Sequence, residues 1–274
     1  MSMPTRPPPG GFGGANAGGA NAGGAPPGGF GGPRPGGFGG PPPGGLGGRG
    51  PGGGANLFGH GNYIIAFLGE PSHSAPWMLQ LGGHHLAVNQ LYNGDVGTST
   101  PHFVGIEPIR WSDAQGVLHD PLAPMRDAML GLLGALAPDQ KTRAQLAQRF
   151  HDVSVGPGRD GGFPARSEGV LAAELSQAAR GFVRDAVFAW TNDCAQAASY
   201  QALYLAQLDA TRVAWSGTGG LQAVGDYVRL DGPRLWIEFS CQPSRTQFPI
   251  HFHTVWRDRA SDYGARFSFG NPAR

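Results

Sequence analysis

The sequence predicts an α+β domain, a mixed or mainly antiparallel sheet with a helical layer, preceded by a disordered N-terminal tail. Three observations carry this reading. Short β-branched and aromatic runs fill residues 63–106, apolar stripes at helical spacing fill 121–208, and strand-like runs return between 211 and 256. Strands, then helices, then strands fit α+β better than a regular βαβ repeat.

The tail comes first. The chain's 48 glycines and 25 prolines crowd toward the N-terminus of its 274 residues. Residues 1–55 repeat Gly-Gly-Phe-Gly-Gly and Pro-Pro-Pro-Gly-Gly units, lack Val and Ile, and hold isolated Phe and Leu side chains that cannot build a continuous core. Paired glycines without a three-residue period exclude collagen. Residues 56–274 then supply one domain's length of chain.

Tyr63 to Leu68 reads as a mostly buried strand stopped at Gly69-Glu70-Pro71, and Trp77 to Leu81 as a second. Gly82-Gly83 allows a bulge or close approach before a third strand from His84 to Tyr92, which ends at the Asn93-Gly94-Asp95 turn. His102 to Ile106 follows. A helix over 121–136 is predicted from Met125, Met129, Leu132, Leu133 and Leu136, and a second begins at Pro138 with Leu146 and Phe150 on its stripe. Ser167 is the expected cap of a third, carrying Val170, Leu171, Leu175, Ala178 and Phe182; Asn192 or Asp193 is expected to cap a fourth, with Tyr200, Leu203, Tyr204 and Leu208 buried. Strands are then expected at 211–215, 226–230, 234–239 and 250–256, with Asp231-Gly232-Pro233 as a turn.

Composition narrows the function. Twenty basic residues against 19 acidic ones give a net charge of +1, the arginines are scattered, and Lys141 is the sole lysine, so no phosphate footprint exists and nucleic acid is not an expected partner. Neither a signal peptide nor an 18-residue apolar run is present, which points to no membrane and to a soluble, cytoplasmic chain, or to an exported one whose signal has been removed. Cys194 and Cys241 form no CxxC motif and are expected to be free thiols, paired only in an exported protein. Weak self-association is open to the aromatic-dotted tail. A nucleophile elbow, a Walker loop and a His-Glu-Xaa-Xaa-His zinc motif are all missing.

The candidate chemistry lies in histidines. His251 and His253 would point to one face of a strand and the adjacent His84 and His85 to opposite faces, so three imidazoles meet if the two segments lie close. His84, His251 and His253 are the expected metal ligands. If His85 faces the cleft instead, His84 supports the strand by a hydrogen bond. Neutral imidazoles suit Zn, Cu or Fe. Glu238, on the strand face shared by Trp236 and Ser240, and Asp258 are the candidate catalytic carboxylates. His85, Asn89, Trp236 and Arg257 are the candidate substrate contacts.

Several ordered phrases resemble one family. Gly83-His84-His85-Leu86 with Asn89, Thr100-Pro101-His102-Phe103-Val104-Gly105, and His251-Phe252-His253-Thr254-Val255-Trp256-Arg257-Asp258 followed by Asp262-Tyr263-Gly264 are similar to signatures of the DUF3500 family, over residues 60–264. The resemblance implies that members usually carry a folded, helix-bearing region ahead of the Gly-His-His segment, where this chain has its Gly/Pro tail, so that residues 56–274 resemble the C-terminal part of the family. The family name denotes an uncharacterised domain, so the resemblance supports the constellation without supplying its chemistry. The functional expectation is a metal-dependent hydrolase or oxidase acting on a small molecule in a histidine-rich cleft, with a non-enzymatic ligand-binding or assembly module as the alternative.

Overall fold

The computed structural model describes residues 62–244 and 246–264; the predicted tail, residues 1–55, lies outside the described residues. The elements are β1 (Ile64–Leu68), β2 (Trp77–Gly82), β3 (Leu86–Asn93), β4 (Val96–Thr98), β5 (His102–Ile106), β6 (Trp111–Ser112), β7 (Leu118–His119), α1 (Ala123–Ala135), α2 (Pro138–Ala144), β8 (Val170–Leu171), α3 (Gln177–Thr191), α4 (Ala197–Ala206), β9 (Arg212–Ser216), β10 (Tyr227–Asp231), β11 (Leu235–Pro243) and β12 (Ile250–Asp258). The fold is α+β. Ten strands form one antiparallel sheet in the order β1-β2-β3-β5-β12-β11-β10-β9-β8, with β4 also paired to β3. The decisive step is β5, which inserts between β3 and β12 and so joins the early meander to the last strand.

The two faces of this sheet do different work. On one, α1, α3 and α4 cover the alternate residues of β11 and β12 that are apolar or neutral: Trp190 donates its indole N–H to Thr254 Oγ1 at 2.7 Å, and Trp256 donates to Tyr204 Oη at 3.2 Å. Both tryptophans sit in the main core, where burial removes their large rings from water and the hydrogen bonds satisfy their polar edges. On the other face lies the chain between α2 and β8. Its Phe150 stacks on Tyr227 with ring centroids 4.0 Å apart, and its Val153 packs with Phe103 and Val255.

Four local expectations change. Among the described residues β1 is an edge strand, paired with β2 alone, and Ile64, Ile65 and Phe67 are 57%, 63% and 59% exposed there. The helix begun by Pro138 stops at Ala144, since Leu146 N–H donates to Trp215 O at 2.7 Å and draws the chain onto β9. Ser167 caps nothing: Val170 and Leu171 pair with β9, and Ser176 caps α3 by accepting from Ala179 N–H at 3.2 Å. Asn192 ends α3 and does not start α4, whose cap position is Gln196. Both cysteines are free, Cys241 buried and Cys194 half-buried. Among the described residues no helix is long and apolar enough to cross a membrane.

Three helix glycines separate packing from propensity. A Cβ on Gly134 of α1 or Gly181 of α3 meets nothing within 4 Å, whereas one on Gly131 runs into the Phe182 ring where α1 crosses α3. Gly134→Ala and Gly181→Ala are each expected to stabilise the fold by roughly 0.5–1 kcal/mol in urea titrations, and Gly131→Ala to destabilise it.

Candidate metal centre

The site is assembled across three strands. Leu86 of β3 pairs with Val104 of β5, and Gly105 of β5 pairs with His253 of β12. A tight turn closed by Gly83 N–H to Leu86 O at 2.7 Å takes His84 and His85 out of the strand, and Gly105 N–H donates to His85 O at 2.7 Å. His85, Gly105 and His253 thus form a row. Adjacent strands stand about 4.8 Å apart, so the outer two side chains reach each other only over the middle residue. A Cβ on Gly105 would lie 2.6 Å from His85 Cδ2 and 2.8 Å from His253 Cδ2; glycine there opens the space in which the rings approach.

His251 and His253, two residues apart on β12, share that face. Their Nε2 atoms are 3.1 Å apart, and the His85 ring centroid is 5.4 Å from each of theirs. One nitrogen from each of the three residues lies within 4.8 Å of the others. Two nitrogens each about 2.05 Å from a tetrahedral zinc stand about 3.3 Å apart, so the His251–His253 spacing already fits shared ligation.

Two carboxylates flank the outer edges of the same rings. Asp152 Oδ1 lies 2.8 Å from His253 Nδ1, and Glu107 Oε2 lies 4.0 Å from His251 Nδ1, an ion-pair distance too long for a hydrogen bond. Ser244 and Thr246 donate their hydroxyls to Glu107 Oε1. Burial works against the Glu107 charge, but these donors and the neighbouring imidazoles hold its carboxyl below the usual range. Burial, then the proximity of the other imidazoles, pushes His85 down to about 4; burial and His253 lower His84 and His251 as well. Of the converging rings, His85 and His251 are thereby held toward the uncharged form, the form in which an imidazole binds metal.

The structure thus resolves the choice between adjacent histidines toward His85. The turn sets His84 beside it, with ring centroids 4.3 Å apart, but outside the converging group, which corrects the expected His84 ligand. Glu238 shares the sheet face of His253 yet is fully buried and engaged elsewhere: it accepts from Ser154 Oγ, from Trp236 Nε1 at 2.9 Å and from Val155 N–H at 3.3 Å, and burial raises its pKa. Asp258 lies on the helix-covered face, bound by Arg234 at 2.6 Å and Tyr204 Oη at 3.0 Å, so strand alternation removes it from the histidines. Arg257, 1% exposed, is spent on Val155 O, Gly156 O, Asp160 and Asp262. Asn89 accepts from Gln80 at 2.7 Å and donates to Pro101 O at 2.8 Å, and Trp236 is packed under Phe163 and Arg259. Asn89 and Arg257 line a cavity of only about 10 Å³, room for about one water. Among the described residues all three side chains are buried and engaged within the fold.

Sequence reasoning missed Gly105, Glu107 and Asp152. Alternation from His253's partner Gly105, the last residue of the Thr-Pro-His-Phe-Val-Gly phrase, carries Glu107 two residues on to the same face; Asp152 sits in irregular chain and leaves no such signal. A family model described as a protein of unknown function (DUF3500) matches residues 46–265. No curated protein and no solved structure matches the chain.

Two outcomes follow from the row. Gly105→Ala is expected to cost about 1–3 kcal/mol of stability through overpacking, read as a lower urea midpoint. The second concerns acid. His85 titrates near 6.5 in the unfolded chain and about 4 in the folded one, so between those values the unfolded state holds the extra proton and stability falls as pH drops from 6.5 toward 4. His85→Gln should flatten that part of the midpoint-against-pH curve; an unchanged slope would contradict the assignment.

Proposed function

Because the chain belongs to DUF3500, a family described only as a protein of unknown function, its chemistry has to come from its own residues, and we propose a metal-dependent hydrolase centred on His85, His251 and His253. The observation that carries this is the convergence of three imidazole nitrogens within 4.8 Å on one sheet face. The proton economy supports it. Two Nε2 atoms 3.1 Å apart need one proton between them. With an ion on both nitrogens that proton has a place on His251 Nδ1, 4.0 Å from Glu107 Oε2.

Hydrolysis is the chemistry this donor set favours. Three neutral ligands leave the full dipositive charge of a zinc-type ion on its fourth position, which lowers the pKa of a bound water toward 7. The His251 and His253 side chains retain 11% and 14% exposure, so the cluster borders solvent and a small substrate can approach its rim. Imidazoles also accept copper or iron, and an oxidase would follow from a redox ion at the same residues.

Metal analysis with zinc titration against a chromogenic chelator tests the reading. One equivalent per chain is expected, with affinity lost at least 100-fold in His85→Ala, His251→Ala and His253→Ala and kept in His73→Ala, a change at an exposed histidine. Zinc-loaded protein should hydrolyse members of a panel of small activated esters and phosphoesters, and His253→Ala should not. Sub-stoichiometric metal that ignores the three substitutions would overturn the metal centre; stoichiometric metal without turnover, by either hydrolysis or oxidation, would leave a binding module.

A further inference from the structure

Glu238 and Arg257, two buried ionisable side chains on the site's sheet face, have a shared target. Both hold one strap of chain, residues 152–160, between α2 and β8. Ser154 Oγ and Val155 N–H donate to Glu238, while Arg257 donates to Val155 O at 2.5 Å, to Gly156 O at 3.1 Å and to Asp160 Oδ1 at 2.8 Å. Val153 packs on Phe103 and Val255. The strap is therefore tied at consecutive residues, and because a buried polar side chain left without partners is costly, neither anchor releases it readily.

What the strap presents at its first residue is Asp152. Its Oδ1 accepts from Val153 N–H at 2.6 Å, which fixes the carboxylate, and lies 2.8 Å from His253 Nδ1. A carboxylate oxygen accepts, so in this contact Nδ1 of His253 is the donor and Nε2 is the nitrogen left to face a ligand. That nitrogen points toward His251 Nε2. Building on the metal reading above, we propose that Asp152 is the positioning residue of the centre: delivered by the anchored strap, it fixes the tautomer and orientation of His253 and raises the ring's strength as a ligand.

The full chain carrying Asp152→Ala or Asp152→Asn, titrated with Zn(II) and with Co(II) as a visible-absorbing substitute, tests this. Asp152→Ala should weaken zinc binding about 10–100-fold and alter the Co(II) absorption bands, with the unfolding midpoint of the metal-stripped protein little changed. Asp152→Asn, whose carbonyl oxygen still accepts from Nδ1–H, should recover part of the affinity. Ser154→Ala, which cuts one anchor away from the ligands, should weaken zinc several-fold. Zinc affinity and Co(II) bands in Asp152→Ala equal to those of the unsubstituted chain would overturn the positioning role alone, as would an Asp152→Asn no better than Asp152→Ala. Failure of the unsubstituted chain to bind zinc would overturn both this role and the metal centre beneath it.

Discussion

A missing side chain at Gly105 is the constraint on which the site depends. The sheet brings the turn before β3 and the middle of β12 to either side of β5, and any residue larger than glycine at that crossing would fill the gap through which the imidazoles meet. Backbone pairing does the long-range work: Gly105 N–H to His85 O at 2.7 Å ties the turn to the same strand that pairs with His253. The register is therefore strict. A slip of one residue on β12 would turn His251 and His253 toward the helices and bring Phe252 and Thr254 to the site.

The two faces of the sheet differ in how their polar groups are met, although Asp258 carries a buried carboxylate on the helix side as well. Toward α1, α3 and α4, β11 and β12 present Ile237, Phe239, Phe252 and Trp256 to the main core. Toward the strap they present Trp236, Glu238, His251, His253, Val255 and Arg257, and the polar ones are met by backbone groups, hydroxyls and carboxylates. Irregular chain suits this second face better than a helix would, because its free N–H and C=O groups are what buried Glu238 and Arg257 require.

The fold class, the helical middle and most strands were legible because their apolar periods are strong, as in Met125, Met129 and Leu132 of α1 or the alternation along β12. The histidine segments were legible as a pair, and His251 with His253 followed from a two-residue period alone. The choice of His85 over His84 was not, since a turn of two residues beyond the glycine pair breaks the alternation that would have decided it. Glu238 and Asp258 were read as carboxylates able to take a proton and Arg257 as a substrate contact; their partners, Ser154, Arg234 and Asp160, come from segments whose pairing no local pattern encodes. The exposure of β1 was hidden for a related reason. An apolar run shows its propensity for strand, not whether the sheet continues past it.

The most direct measurement of the central claim is X-ray absorption at the zinc edge on the zinc-loaded chain. The account predicts a first shell of low-atomic-number donors at about 2.0–2.1 Å, with outer-shell scattering that fits three imidazoles and one remaining oxygen donor. A shell of oxygen alone, or one containing a sulfur at about 2.3 Å, would contradict it.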